Sequence, residues 1–208
     1  MARKFLLVEG TDDEHVLKHI CGNCGGPRID EVKPHGGIDK LMGSIPVFLK
    51  ACQDGDIVGV IIDADTDLVA RWQSIRHSLN GIGYTAVPVT PTADGTIIDP
   101  PAGVLLPRVG VWIMPDNRTN GILEDFLRFL IPPTGAPLFT HVTNSVATIP
   151  AGERRFGTLA EPKAHIHTWL AWQEEPGKPM GTSITARYFD ATVPQVAVLV
   201  SWLNRLFL

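Results

Sequence analysis

Two stretches of this chain limit its fold more than any others. Residues 57–63 read IVGVIID and residues 108–115 read RVGVWIMP, near-continuous apolar runs rich in β-branched residues. A strand with one wet face alternates polar and apolar positions, whereas a run without alternation has to be covered on both faces. The segments around these runs have helical spacing. In 12–22 the apolar residues are Val16, Leu17 and Ile20, with Thr11 as the expected N-cap, and 37–52 and 68–79 follow the same period, the latter closed by the glycines at 81 and 83. Strands alternating with helices predict a parallel sheet with helices on both faces.

The remaining elements fit that frame. KFLLV (4–8) is a short buried strand, RIDEVKP (28–34) an edge strand, and YTAVPV (84–89) a further strand. Pro46 inside 37–52 predicts a kink or break. Residues 90–107, rich in Pro, Gly, Thr and Asp, read as an excursion carrying a small hairpin from GTIID to GVLLP. Helices are expected at 121–131, 137–149, 161–173 and 193–207, with 174–181 as a loop. A core over 1–131 and a helical extension over 132–208, packed on the same domain, account for all 208 residues.

Composition narrows the function. Hydrophobic residues make up 44% and charged residues 19%, as in an ordinary globular protein, and no apolar run approaches the ~18 residues of a membrane span. The basic-then-apolar start, MARKFLLVEG, has too short an apolar run for a signal peptide. Three cysteines, Cys21, Cys24 and Cys52, without an export signal predict a cytoplasmic protein. A net charge of −4 argues against holding nucleic acid by surface field alone. It does not argue against an enzyme that reaches phosphates through bound cations.

The acids converge on one edge of the expected sheet. The first strand ends on Glu9, the central one on Asp63 with Asp65 and Asp67 behind it, and 108–115 is followed by Asp116. Residues two apart on an extended chain share a face, so Asp63 and Asp65 can point together. Crowded carboxylates repel and take up protons, and a hard divalent cation relieves this. The alternative is that such acids cap the helices that follow, which suits Asp12 and Asp67 in particular.

LLVEG (6–10) followed by VIIDAD (60–65), each at a strand end, resembles the Toprim domain over about the first 130 residues. The chain is most similar to small stand-alone bacterial Toprim proteins allied to the overcoming-lysogenization-defect (OLD) type nucleases. The resemblance implies an α/β, Rossmann-like three-layer Toprim fold with a mainly parallel sheet, plus C-terminal helices. It also implies a second acid four residues after the glutamate, here Asp13, and acids after the last core strand, for which PDNRTNGILEDFL (115–127) offers Asp116, Glu124 and Asp125. A lysine near the metals is matched by Lys163 in AEPKAHIHTWLAW, where a solvated surface lysine is the competing reading.

The chemistry this set suits is phosphodiester cleavage assisted by one or two Mg²⁺ or Mn²⁺ ions. Glu9, Asp63 and Asp65 would hold the metal, Asp13, Asp116 and Glu124 would support it, and Lys163 would stabilise charge developing on phosphate. Gly10, Arg118, Arg154 and Arg155 are the candidate substrate contacts, and Lys178 and Arg187 further cations. Only Tyr84 and Tyr188 could serve as a topoisomerase nucleophile, and there is no room for primase accessory domains, so a nuclease acting on DNA or RNA is favoured. A phage-defence role follows from the resemblance alone. GKPMGTS (177–183) lacks the order of a P-loop, so any ATP dependence would come from a partner ATPase. The second reading is a non-catalytic module that binds metal or nucleotide and regulates such a partner.

Other features have plainer readings. Cys21-x-x-Cys24 lacks a second ligand pair for zinc and sits at a helix end rich in glycine. His35, in KPHGGIDK, reads as a turn residue, although its loop could approach the site edge. His165 and His167 are too close in sequence to share a helix face. The apolar surface of the last helix, with Trp202, Leu203 and Leu206, could close the domain or pair with a second copy in a homodimer.

Overall fold

A computed structural model describes residues 2–208. Five strands, β1 (Lys4–Val8), β2 (Glu31–Pro34), β3 (Ile57–Asp63), β4 (Thr96–Ile98) and β5 (Arg108–Met114), form one sheet in the order β2-β1-β3-β5-β4. The first four in that order run parallel, and β4 closes the edge antiparallel to β5. The parallel strands therefore end along one edge, where the chain turns into helices.

Side-chain alternation along the central strands supplies two cores. Leu6, Val8, Ile61, Trp112 and Met114 face one side, and Phe5, Leu7, Val60, Ile62, Val111 and Ile113 face the other. The second side is covered by α2 (Ile38–Ala51) and α3 (Leu68–Ile82) through Leu41, Ile45, Leu49, Trp72, Ile75 and Leu79. The first is covered by α1 (Thr11–Asn23), α4 (Leu123–Phe129), α5 (Ala136–Ala147), α6 (Glu161–Ala171), α7 (Met180–Thr185) and α8 (Pro194–Phe207). The result is a three-layer α/β fold in which the C-terminal helices share the core of the sheet. No helix among the described residues is long and apolar enough to cross a membrane.

α8 lies directly on the sheet because two glycines leave room for it. Gly59 and Gly110 are register partners on β3 and β5. A Cβ on Gly110 would stand 2.4 Å from Leu206 Cδ2, and one on Gly59 would stand 2.6 Å from Leu6 Cδ1 and 3.2 Å from Phe207. The apolar surplus of α8 is thus spent within the chain, since Leu199, Trp202, Leu203, Leu206 and Phe207 are all buried.

Several expectations are corrected. Residues 84–89 form no strand. Pro88 has no N–H to give a ladder, and the β5 edge is taken by β4, so the segment is held by side chains instead. Trp72 Nε1 donates to the Pro88 carbonyl at 3.2 Å, and Tyr84 donates its hydroxyl to the Pro107 carbonyl at 2.5 Å. The excursion forms no hairpin of its own, because its GTII segment pairs with β5. α2 runs unbroken through Pro46. The ring costs one backbone bond, while Leu41, Ile45 and Leu49 bury a stripe on both sides of it. α3 continues to Ile82 and ends on Gly83, whose φ of 119° is open to glycine and strained for other residues. The cap of α1 is Gly10 rather than Thr11. A short helix, α7, occupies 180–185, crossing α1 where a Cβ on Gly181 would meet the His15 carbonyl oxygen at 2.9 Å.

Candidate metal centre

The edge where β1 and β3 end opens into a cleft of about 280 Å³. Glu9, Gly10, Asp12 and Asp13 line it from the β1–α1 turn, Asp63 from the tip of β3, Gly36 and Gly37 from the loop after β2, Glu124 from the first turn of α4, and Lys163 from the first turn of α6. Each acid arrives there for a local reason. Glu9 is the residue after the apolar run Phe5–Val8, and one of its carboxylate oxygens accepts the Asp63 N–H at 2.9 Å, tying the ends of β1 and β3 together. Asp13 turns back on the start of α1, where Oδ2 accepts the Gly10 N–H at 3.0 Å. Asp125 plays the same capping part in α4, accepting the Ile122 N–H at 3.0 Å, which leaves the neighbouring Glu124 to face the cleft. Gly36 and Gly37 donate their N–H groups to the Glu9 carbonyl at 2.8 and 2.9 Å, with positive φ at both.

The electrostatics are those of acids packed without enough countercharge. Asp63 has its carboxyl pushed up to about 9, first by burial and then by repulsion from Asp13, Glu9, Glu124 and Asp65. Asp13 is pushed up to about 7, again chiefly by burial, against the opposing bond from Gly10. Glu9 and Glu124 are raised as well, with burial the leading cause in both, and Lys163 acts to lower each. Lys163 Nζ stands 3.9 Å from Glu124 Oε1, with the lysine exposed on the rim and the glutamate buried. One carboxylate oxygen of Asp13 and one of Asp63 are buried with no hydrogen-bond partner. Such an oxygen costs about 1–3 kcal/mol or more when left unmatched, a cost that a proton or a cation would relieve.

The donor set is all hard oxygen, which fits Mg²⁺ or Mn²⁺ and not a thiol-seeking metal. Among the described residues, no three His, Cys, Asp or Glu side chains are grouped so as to hold a metal ion as they stand. The carboxylates line the cleft as neighbours, and the charge of an ion would be needed to draw them together against their repulsion.

The other expected residues sit elsewhere. Asp65 follows the end of β3 in the left-handed region, φ 53°, so the chain is no longer extended and its side chain does not share the face of Asp63. Its Oδ2 pairs with the Arg71 guanidinium at 2.6 Å. Asp116 Oδ1 accepts the N–H groups of Arg118 and Thr119 and the Thr119 hydroxyl, all within 3.0 Å, and closes its own turn. Arg118 lies on that turn, and neither residue lines the cleft. Arg154 pairs with Glu161 at 2.6 Å and Arg155 with Glu153 at 3.1 Å, both outside the cleft. Asp67 caps α3 through the Ala70 N–H at 2.9 Å. His35 Nδ1 meets the Lys33 carbonyl at 3.0 Å and the Val8 carbonyl of β1 at 3.3 Å. The cysteines are free, and burial pushes the Cys21 thiol up to about 11, away from reactivity.

The model of the family described as "Protein of unknown function (DUF3226)" matches residues 3–208. The chain belongs to this DUF3226 family. No curated protein and no solved structure matches it. The family match spans the sheet, the cleft and α8 alike, so this DUF3226 chain carries its carboxylate cleft within the family's own unit. A larger cleft, about 1160 Å³, lies at the far end of α1 against α8, but its single acid, Asp190, is engaged by Thr192. The smaller cleft is the one that gathers several acids.

Arg71 escaped the sequence reading. It follows the cap residue Asp67 by four positions, and helical side chains lean toward the N-terminus, which aims it back at the tip of β3. That spacing was the available signal.

Proposed function

We propose that the cleft is a divalent-cation centre and that the chain is a Mg²⁺- or Mn²⁺-dependent phosphodiesterase of the Toprim nuclease kind, acting on DNA or RNA. The observation that carries this reading is the pair of buried, unpartnered carboxylate oxygens on Asp13 and Asp63, in one cleft with Glu9, Glu124 and Lys163. Glu9, Asp13, Asp63 and Glu124 would hold the cation. When bound, it would supply a Lewis acid and lower the pKa of a coordinated water. Lys163, exposed at the rim, would meet a phosphate oxygen and balance charge gathering there. Gly36 and Gly37 lack side chains on the cleft wall, so a phosphate backbone can approach closely. The Glu9–Asp63 bond keeps two of the acids at a fixed spacing before any ion arrives.

A non-catalytic cation-binding module, serving a partner ATPase, is the second reading. It is favoured by the engagement of Arg154 and Arg155 with glutamates, which withdraws both from the candidate substrate contacts.

Calorimetric titration of the protein with Mn²⁺ and Mg²⁺, beside Asp63→Asn, together with labelled DNA and RNA oligonucleotides in the same buffers, tests both. Binding and cleavage that are both lost in the variant support the nuclease. Binding without cleavage supports the module. No binding, or binding that the variant retains, overturns the centre.

A further inference from the structure

Resting on the nuclease reading just proposed, we infer that Lys40 is a substrate-binding residue, whose ammonium holds a second phosphate of the strand that meets Lys163. Lys40 stands in the first turn of α2, three residues after the cap residue Gly37. Helical side chains lean toward the N-terminus, which brings this one back over the loop that follows β2. A Cβ placed on Gly36 would stand 3.7 Å from Lys40 Nζ and meet no other heavy atom as near. Gly36 is part of the wall of the cation cleft, so the ammonium lies at the cleft's glycine corner. An exposed lysine is ordinarily a solvated one or is taken up by an acid. Lys18, Lys178, Arg154 and Arg155 are each taken up by a glutamate. Lys40 is exposed and, among the described residues, enters no ion pair.

That corner has little else to offer an anion. Gly36 and Gly37 spend their N–H groups on the Glu9 carbonyl at 2.8 and 2.9 Å. The layers of the fold then set the two lysines apart. α2 covers one face of the sheet and α6 the other, so Lys40 and Lys163 reach the strand ends from opposite layers, with Glu9 and Asp63 on the strands between. A strand laid across this edge, with one phosphate at the acids and Lys163, presents another to Lys40. A lysine suits that task, being a point charge on a flexible stem that follows the backbone without reading bases. Lys40 pairs with none of the cleft acids, so its part is the grip on the strand and not the capture of the ion.

The probe is a short fluorescein-labelled single strand, as DNA and as RNA, with Ca²⁺ as the ion and the strand checked on a gel to be intact. Its anisotropy is read across a salt series for the unaltered chain, Lys40→Ala, Lys40→Gln and Lys40→Arg, with circular dichroism to confirm that each is folded. Lys40→Ala and Lys40→Gln should weaken binding about three- to tenfold, alike for different sequences, and reduce the slope of log K against log salt by about 0.7, the share of one phosphate on a single strand. Lys40→Arg should restore both. Mn²⁺ affinity, measured by calorimetry without the strand, should not fall in any of the three. A slope and affinity that Lys40→Ala leaves unchanged overturn the inference while the nuclease reading stands. A fall in Mn²⁺ affinity overturns it too, since the lysine would then act on the centre. An unaltered chain that takes up Mn²⁺ but no strand overturns the inference and the nuclease reading together, leaving the cation centre.

Discussion

Asp63 shows what one residue can report. In an unfolded chain its carboxyl titrates near 4, and burial with four acid neighbours takes it to about 9 in the folded state. The folded protein therefore binds the extra proton. The stability this group contributes is full below about pH 4 and is lost as pH rises toward 9. Asp13 adds the same dependence between about 4 and 7. Thermal melts of chelator-treated protein should therefore show Tm falling from pH 5 to pH 9. Asp63→Asn, which cannot ionise, should flatten that fall and raise Tm at pH 8–9, even as it removes ion binding. A Tm that holds or climbs with pH would contradict the burial of these acids. Glu9 and Asp63 were legible as strand-end acids because each stands directly behind an unbroken apolar run. Lys163 came from resemblance and does reach the cleft. Asp65 was misjudged for a physical reason. The rule that alternate residues share a face holds only while the chain stays extended, and it leaves that state at φ 53°.

At the scale of elements, the seat of α8 is the sharpest test. Gly110→Ala would drive a methyl into Leu206, and an overpacked core costs about 1–3 kcal/mol. Urea unfolding should show that loss in the midpoint. Wild-type stability would mean that α8 does not lie where the glycines put it. A second junction is the acid Asp56, buried before β3, which accepts the N–H groups of Arg3 and Gln53 at 2.9 and 3.0 Å. Asp56→Ala leaves both donors bare at the start of β1 and β3 and should cost about 1–3 kcal/mol in the same assay. The strands β1, β3 and β5 and the long helices could be read directly, because their hydrophobic periods are local. β4 and the 84–89 segment could not. Which of two short apolar stretches gains a sheet edge depends on a distant competitor, and the sequence around each carries no mark of it.

For the whole molecule, folding and ligation are linked if the centre holds an ion. Mn²⁺ at a hundred times its pH 8 Kd should stabilise the protein by about 2.7 kcal/mol at pH 8, and the same concentration should do less at pH 5, where protons compete for the carboxylates. Equal shifts at both pH values would separate the ion from these acids. The order of the chain has a consequence of another kind. The sheet is complete at Met114, yet α8, which roofs β3 and β5, comes ~80 residues later. At about 5–20 residues per second, a growing chain shows that bare face for roughly 4–16 s. During synthesis, then, the paired glycines that later seat α8 mark a flat, sticky patch that a chaperone would have reason to cover.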